Sequence, residues 1–367
     1  MKEQQDIDLS EMNKKYEFLT SLLKHHNADF LLIEGQENYS WLTSGRGFIG
    51  LASTQLCGSI LVSYQGLALI ANNIELDRLR VEQKADHPLF SYYSFPWYES
   101  DGKDKILQHL TQGKHILSEK EVSAELQAKR TTLSKNDITR YEEICITTAI
   151  EVEEACKNLY QGMSEYELAG ILSQRFWKHN LEPITLLIGF DHRALTYRHP
   201  VPAGALLDNY ALVAVCTRRD GLIANATRLV SIKSDHILTT RQKISSAAES
   251  LLISQTVPGA DLFDVFSNLQ DLYTNLGVKD EWQKHHQGGI TGFVARELKA
   301  SPDTHHIVRR GEVYGWNPSV KGTKSENTII VEENQSRVLT HTGNYPYIEH
   351  VIDNKSYLSE DILVLNQ

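Results

Sequence analysis

The chain has 367 residues, 41% of them hydrophobic, and a formal net charge of −10 at pH 7. This length and apolar content suit two globular domains with sizeable cores. The acidic balance excludes a nucleic-acid-binding protein, because phosphate contacts need clustered Lys and Arg side chains. No apolar stretch approaches the ~20 residues of a membrane span, so we expect no membrane partner.

The cysteines and the first residues indicate the compartment. The four cysteines are scattered and form no C-x-x-C pair: Cys57, Cys145, Cys156 and Cys216. Isolated thiols of this kind are typical of proteins in a reducing environment. The start of the chain lacks the apolar core of a signal peptide. We therefore expect a cytoplasmic protein.

Residues 1–130 are predicted to form a small α/β domain. Amphipathic spacing indicates a helix over residues 8–26. Short β-rich runs indicate strands at 29–33, 58–63, 67–71 and 115–117. Because strands and helices alternate, we expect a mostly parallel sheet.

A polar connection at 128–136 leads into a second domain, residues 136–367. Its predicted helices lie at 137–160, 164–179, 241–256 and 261–276. Ser164 and Glu167 are spaced as a capping box for the second helix, and Asp261 is placed to cap the fourth. Each pair of helices precedes strand-rich sequence, which indicates an internal duplication.

Several segments of the second domain carry the most specific pattern. They are Leu212–Gly221, Asn225–Arg228, His285–Gly292, Trp316–Pro318 and Lys324–Thr328. In order and spacing these segments resemble the creatinase / aminopeptidase P / prolidase superfamily, and the resemblance covers essentially the whole chain. It implies an α+β fold. A pita-bread domain, with two pseudo-symmetric αβ halves around a curved antiparallel sheet, would follow a smaller α/β creatinase-type N-terminal domain.

The resemblance also implies where metal ions would bind in this fold. The members that use metal hold two divalent ions with two Asp, one His and two Glu. The matching positions here are Ala214, Asn225, Gly289, Asn317 and Glu326. A dinuclear hydrolase needs anionic oxygens to bridge and neutralise its ions, and only Glu326 supplies one. We therefore expect no catalytic metal and no other cofactor.

His199 and Glu326 are the predicted catalytic residues. His199 lies 15 residues before Ala214. In creatinase, which works without metal, the matching His shuttles a proton between water and the leaving nitrogen. An imidazole suits this role because its pKa lies near neutrality. Glu326 would hold the substrate or the water, unless it is simply paired with Arg228 or Lys324.

Four further residues are predicted to bind substrate through polar groups. His285 matches the first His of a superfamily segment, and Arg296 stands where that segment has a substrate-facing His. A guanidinium there would bind a carboxylate or phosphate in a bidentate way, so we expect a small-molecule substrate with an anionic group. Asn225 and Asn317 would orient it with their amides. His286, next to His285, is expected to point to the opposite face and to remain solvated.

The last two predicted substrate-binding residues lie in the N-terminal domain. In creatinase-like dimers, this domain of one subunit reaches into the site of the other. Arg46 and Phe48 follow the turn that makes this contact. The resemblance thus implies a homodimer in which these side chains complete the partner's site.

The residues leave functions of different classes open. The first is a metal-independent hydrolase of a small C–N bond, in an amidine, a guanidino compound or an amide, with His199 as general acid/base. The second is a non-catalytic relative that acts as a binding protein. The third is an Xaa-Pro dipeptidase or aminopeptidase that recruits one ion through Glu326 and His residues.

Overall fold

The structure, a computed structural model, describes residues 2–366 and the side chains of residues 10–366. Its contacts divide the chain into two compact units, residues 1–130 and 131–367. Across the described part of the chain, no helix is both long enough and apolar enough to cross a lipid bilayer.

The first unit is a sheet flanked by helices. The helices are α1 (Lys2–His25), α2 (Gln36–Thr43), α3 (Gly102–Thr111) and α4 (Ser123–Arg130), with a π-helical turn at Arg78–Glu82. The strands are β1 (Phe30–Gly35), β2 (Gln55–Ser63), β3 (Gly66–Asn72), β4 (Phe90–Phe95) and β5 (Ile116–Ser118), in the spatial order β4-β3-β2-β1-β5.

This sheet is mixed. The pairs β1–β2 and β2–β3 are antiparallel, whereas β3–β4 and β1–β5 are parallel. The prediction of a mostly parallel sheet is therefore wrong. Only two residues, Tyr64 and Gln65, separate β2 from β3, and so short a link permits antiparallel pairing alone.

The second unit repeats a helix pair and a set of strands. Its helices are α5 (Lys135–Lys157), α6 (Glu165–Trp177), α7 (His192–Thr196), α8 (His236–Gln255) and α9 (Leu262–Asn275), with a 3₁₀ turn at Glu281–Lys284. Its first sheet has the order β18-β8-β7-β6, built from β6 (Glu182–Phe190), β7 (Tyr210–Arg219), β8 (Leu222–Ser231) and β18 (Ile362–Val364).

The second sheet of this unit has the order β10-β9-β11-β14-β15. It contains β9 (Gly288–Thr291), β10 (Leu298–Lys299), β11 (Val313–Trp316), β14 (Asn327–Val331) and β15 (Ser336–Val338). Two hairpins complete the unit, β12 (Ser319–Val320) with β13 (Thr323–Lys324), and β16 (Tyr347–Ile352) with β17 (Lys355–Glu360).

The helix caps follow from the side chains at each start. Ser164 accepts a hydrogen bond from the Glu167 N–H at 3.1 Å, as its N-cap position predicts. The Glu167 carboxylate does not close the predicted capping box, because it accepts from the Tyr160 hydroxyl instead. Asp261 caps α9 through the Phe263 N–H, as predicted.

Hydrogen bonds from β8 to the segment around the start of β14 join the two halves. The Thr227 N–H donates to the Glu326 carbonyl at 3.0 Å, and the Asn225 N–H donates to Thr328 Oγ1 at 2.9 Å. The two sheets thus meet at their central strands. This junction brings motifs that are about 100 residues apart in the sequence onto one surface.

Candidate active site

A buried cluster of charges lies at the junction of β8 and β14. The Glu326 carboxylate is 3% exposed. One of its oxygens lies 2.7 Å from Lys324 Nζ and accepts from the Thr227 hydroxyl at 2.6 Å. The other lies 3.2 Å from the guanidinium of Arg296. Glu326 is therefore held between two cations.

The charges around Glu326 determine its protonation. Burial alone would raise the pKa of this carboxyl, but Lys324 and Arg296 lower it below its ordinary value. Glu326 is thus an anion at neutral pH. Both of its oxygens already accept from cationic donors, so it is poorly suited to act as a general base.

Arg296 lies in a turn between β9 and β10, and its guanidinium reaches back to β8. One terminal nitrogen donates to Asn225 Oδ1 at 3.0 Å, and the other faces Glu326. A Cβ on Gly315 would come within 2.9 Å of this group, so the missing side chain leaves room for it. The guanidinium bridges Asn225 and Glu326, two of the positions at which the resemblance implies metal ligands.

The other matching positions do not supply ligands either. Gly289 has φ of +144° and is paired with Lys299 of β10, and a Cβ on it would collide with the Leu298 carbonyl oxygen. A histidine therefore cannot replace Gly289 without displacing β10. Ala214 is buried and apolar. Together with the bridging guanidinium, these residues do not fit a dinuclear centre of the superfamily type.

Three histidines lie beside the charge cluster. One ring nitrogen from each of His199, His285 and His286 lies within 4.8 Å of the others. His199 Nε2 and His285 Nε2 are 3.0 Å apart, and His285 Nδ1 lies 3.1 Å from the Ser319 hydroxyl. Arg198 donates to the same hydroxyl at 3.1 Å.

His286 differs from its prediction. Its ring centroid is 4.6 Å from that of His285, and it is half-buried rather than solvated. The prediction assumed a strand through both residues. The chain instead leaves the 3₁₀ turn at Lys284, and β9 begins only at Gly288, so the alternation of a strand does not apply.

The three imidazoles are biased towards their neutral forms. Burial and Lys324 lower the pKa of both His199 and His285. Burial and Arg296 lower the pKa of His286 to about 4. In geometry the three nitrogens could face one metal ion. The positive potential that disfavours an imidazolium also opposes a dication and favours an anion.

A small cavity of about 140 Å³ opens between these groups. Its polar lining consists of Thr185, His199, His286, Arg296, Asn317, Lys324 and Glu326 together with the Cys216 thiol. His199 is solvent-exposed, whereas Asn317 and Glu326 are 2% and 3% exposed. The cavity thus has a charged inner end and an imidazole at its outer end.

The structure brings together most of the predicted site residues. His199, Arg296, Asn317 and Glu326 line the cavity. His285 contacts His199, and Asn225 contacts Arg296. Arg46 and Phe48 lie in the first unit, where Phe48 is buried and Arg46 stacks over its ring at 5.7 Å.

Lys324 and His286 were not predicted as site residues. Lys324 precedes Glu326 by two positions, and residues two apart in extended chain point to the same face. That spacing was the available signal for Lys324. No comparable signal existed for His286, because its position depends on where the 3₁₀ turn ends.

Comparisons with known proteins identify the fold. No protein-family model and no curated protein sequence matches the chain. Among solved structures, the prolidase from Pyrococcus horikoshii OT3 superposes with a TM-score of 0.75 at 17% identity, over 90% of this chain and 98% of that one. Dipeptidase PepE from Mycobacterium ulcerans gives 0.75 at 13% identity, over 98% and 99%.

The fold also occurs outside the peptidases. The N-terminal domain of FACT complex subunit SPT16 from Cicer arietinum superposes with a TM-score of 0.66 at 13% identity, over 92% of this chain and 97% of that one. Identities this low establish architecture alone. The chain therefore has the pita-bread fold of the prolidases and Xaa-Pro dipeptidases, with their N-terminal domain, as the sequence motifs predicted.

Proposed function

We propose that the protein is a hydrolase of a small C–N bond that works without the dinuclear metal centre. His199 acts as its general base and acid. The observation that carries this proposal is the contact of His199 with His285 at the mouth of a cavity whose inner end is cationic. The likeness to prolidases and dipeptidases supports a peptide-like C–N bond as the one cleaved.

His199 meets the requirements of a base at neutral pH. Partial burial and the nearby Lys324 lower its pKa, so the imidazole is unprotonated and able to accept a proton. One proton lies between the two Nε2 atoms of His199 and His285. When His199 carries that proton, its Nδ1 is the free basic atom, and His285 Nε2 is the acceptor that orients the ring.

His285 is held in turn by Ser319. The Ser319 hydroxyl oxygen has two acceptor lone pairs. It takes one hydrogen bond from Arg198 and one from His285 Nδ1 when that nitrogen is protonated. The relay from Ser319 to His199 is thus a positioning device for the base. It lets His199 take a proton from water and deliver it to the leaving nitrogen.

Acid–base help of this kind accelerates a reaction by about 10²–10⁴. The remainder must come from orientation of the substrate against His199. In this proposal the substrate is a small molecule with an anionic group, held at the inner end of the cavity by Arg296 and Asn317. Glu326 sets the charge of that end rather than acting on the bond.

The assembly and the compartment are also proposed. A homodimer would let Arg46 and Phe48 of one subunit reach the site of its partner, as the resemblance implies. The four cysteines form no disulfide, which suits the reducing cytoplasm. The net charge of −10 offers no surface for nucleic acid.

Two other functions have an observation in their favour. The superposable structures include an Xaa-Pro dipeptidase and an X-Pro aminopeptidase, which favours a peptidase that recruits one ion at the three histidines. The SPT16 domain, named as a subunit of the FACT complex, favours a binding role on this fold. The cationic cavity opposes binding of a metal ion and so argues against the peptidase. A binding role would leave the histidine relay without a purpose.

The test is turnover by the full-length, metal-stripped protein. We would incubate it with guanidino, amidino and Xaa-Pro compounds, with and without chelator, beside His199→Ala and the exposed control His305→Ala. Turnover that survives chelator, persists in the control and is lost in His199→Ala supports the proposal. Turnover that needs added metal would identify the peptidase, and a complete lack of turnover would leave the binding role.

A further inference from the structure

The inner end of the cavity carries an unbalanced charge. Arg296 and Lys324 each contribute one positive charge, and Glu326 contributes one negative charge. The three nearby imidazoles are biased towards neutrality. One net positive charge therefore remains in a place where water is scarce, and an unpaired buried charge is costly. A bound anion would remove that cost.

Three residues that line this cavity each have a buried polar atom without a hydrogen-bond partner among the described residues. Arg296 Nε, His286 Nδ1 and Asn317 Oδ1 have no hydrogen-bond partner among the described residues. The Arg296 side chain is 10% exposed and Asn317 is 2% exposed. Most buried polar atoms in proteins are hydrogen-bonded, so three unpaired ones around one cavity indicate a ligand with hydrogen-bonding atoms.

We infer that this inner end is a subsite for a compact carboxylate, bound by Arg296, Lys324 and the Asn317 amide. This inference rests on the proposed function, which supplies the C–N bond that reacts at the other end of the substrate. A substrate would enter with its anionic group inward and its C–N bond outward, against His199. The space between the positions matched to metal ligands would thus be used to bind the substrate's charge.

The size of the cavity limits what the subsite accepts. Its 140 Å³ corresponds to the liquid volume of about five water molecules. A carboxylate on a short stem fits within that space, and the rest of the substrate would extend past the exposed His199. Arg296 Nε and the Asn317 amide nitrogen, in its flipped orientation, can both donate to a planar oxyanion. The class we infer is a small carboxylic acid whose amide or amidine nitrogen lies a few bonds from the carboxylate.

The experiment measures binding of non-reacting probes to the full-length protein by isothermal titration calorimetry. Acetate is the anionic probe, acetamide is its neutral counterpart of the same shape, and inorganic phosphate tests a larger oxyanion. We expect acetate to bind at least tenfold more tightly than acetamide. Equal affinities for acetate and acetamide would overturn the inference, and so would tighter binding of phosphate than of acetate.

Charge variants then test which residues bind the probe. Arg296→Gln and Lys324→Met should each weaken acetate binding about tenfold or more, whereas Arg310→Gln, which removes an exposed charge elsewhere, should not change it. Arg296→Lys keeps the charge but loses Nε, so it should give an intermediate affinity. It also serves as the fallback if Arg296→Gln fails to fold by circular dichroism.

Glu326→Gln gives the sharpest result, because the inference predicts a gain. Removing this carboxylate raises the net charge of the subsite from one to two, so acetate should bind about tenfold more tightly. Weaker binding would mean that Glu326 itself contacts the ligand, and the inference would be wrong. His199→Ala should leave acetate affinity unchanged. Acetate binding without turnover of any substrate would contradict the proposed function alone. Turnover without acetate binding would contradict this inference alone.

Discussion

The two faces of strand β8 carry two buried charge clusters with opposite designs. On one face, Thr227 and Asn225 contact the Arg296–Glu326–Lys324 cluster at the cavity. On the other, Arg228 is completely buried and pairs with Glu153 and Glu360 at 2.9 Å each. Neighbouring residues of β8 thus contribute to two different clusters, because their side chains alternate between its faces. We call the cluster around Arg296 and Glu326 the cavity cluster, and the cluster around Arg228 the scaffold cluster.

The clusters differ in how completely they are satisfied. Each of the three nitrogens of Arg228 donates a hydrogen bond, to Glu153, to Asn327 or to the carbonyls of Thr227 and Thr340, and Nη2 also lies 2.9 Å from Glu360. Arg296 leaves its Nε without one. A guanidinium has five donors in a fixed geometry. Every nitrogen of Arg228 donates within the protein, whereas the Nε of Arg296 has no acceptor among the described residues.

They also differ in the sign of their excess charge. The scaffold has one guanidinium against the three carboxyl groups of Glu153, Glu249 and Glu360. Burial and the neighbouring Glu360 raise the pKa of Glu249 to about 8, so a proton removes part of the excess. The cavity cluster has an excess of positive charge that a proton cannot remove. With Glu249 protonated, the first cluster keeps one negative charge in excess, whereas the second keeps one positive charge.

The largest expected effect is the loss of the scaffold arginine. Among the described residues, Arg228 is the only Arg or Lys paired with buried Glu153 and Glu360, and breaking a buried pair by Arg228→Met costs about 3–5 kcal/mol. Denaturant unfolding should show that loss. Arg310→Gln, at an exposed ion pair, should change the free energy of unfolding by less than about 0.5 kcal/mol. A loss below about 1 kcal/mol for Arg228→Met would contradict the scaffold role.

A somewhat smaller loss of stability is expected when Gly289, in the sheet that contains β14, gains a side chain. Gly289→Ala forces a Cβ towards the Leu298 carbonyl at a left-handed φ, so it should cost about 3 kcal/mol. Gly277→Ala is the matched control, because its φ is also positive but its surroundings are open, and it should cost about 1 kcal/mol. Equal losses would show that β10 yields easily, and a histidine could then be accommodated at position 289.

Whether a feature of the fold or site could be predicted from the sequence depends on how far apart in the chain its interacting residues lie. The positions of His199, Asn225 and Glu326 could be predicted through the family resemblance, because each lies in a short motif: Asn225 on β8, Glu326 directly before β14, and His199 in the connection before β7. The pairing of Glu326 with Lys324, one of the two partners considered from the sequence, is found in the structure. Its pairing with Arg296 could not be predicted, since it depends on how a turn 30 residues away folds back. The resemblance showed which carboxylate remained, but not that Arg296 joins Lys324 in holding it.

The same distinction applies to the sheets and the histidines. The pairing of β2 with β3 could have been predicted from their two-residue link, a local feature that the alternation of helices and strands concealed. The position of His286 could not, because it depends on a 3₁₀ turn that ends at Lys284. A turn determined the structure in both places. The turn between β2 and β3 can be recognised in the sequence, but the end of the 3₁₀ turn before His286 cannot.

A third prediction tests the proton in the scaffold cluster. The folded-state pKa of Glu249, about 8, lies above the ordinary value of 4.5. Its contribution to stability is therefore complete below pH 4.5 and is lost as the pH rises through 8. Glu249→Gln cannot ionise, so it should match the wild type near pH 4.5 and become progressively more stable than the wild type as the pH rises to 9.

Thermal or denaturant unfolding across that pH range provides the measurement. Glu333→Gln, which alters an exposed carboxylate, should follow the wild-type curve throughout. If the advantage of Glu249→Gln were the same at every pH, the variant would be acting through packing, and Glu249 would hold no proton in the folded state.

The smallest expected effect concerns the cavity cluster and the base beside it. Lys324 lowers the pKa of His199, so Lys324→Met should raise that pKa. A protonated His199 cannot act as a base, and activity is lost as the pH falls through its pKa. The acid limb of kcat/KM should therefore move to higher pH in Lys324→Met, whatever happens to the maximal rate.

Lys321→Met, in the same hairpin but exposed, should leave the acid limb of kcat/KM in place. A limb that moved to lower pH would mean that Lys324 does not act on His199 through its charge. The two faces of β8 would then differ only in packing, because the cationic excess at the cavity would have no effect on the base.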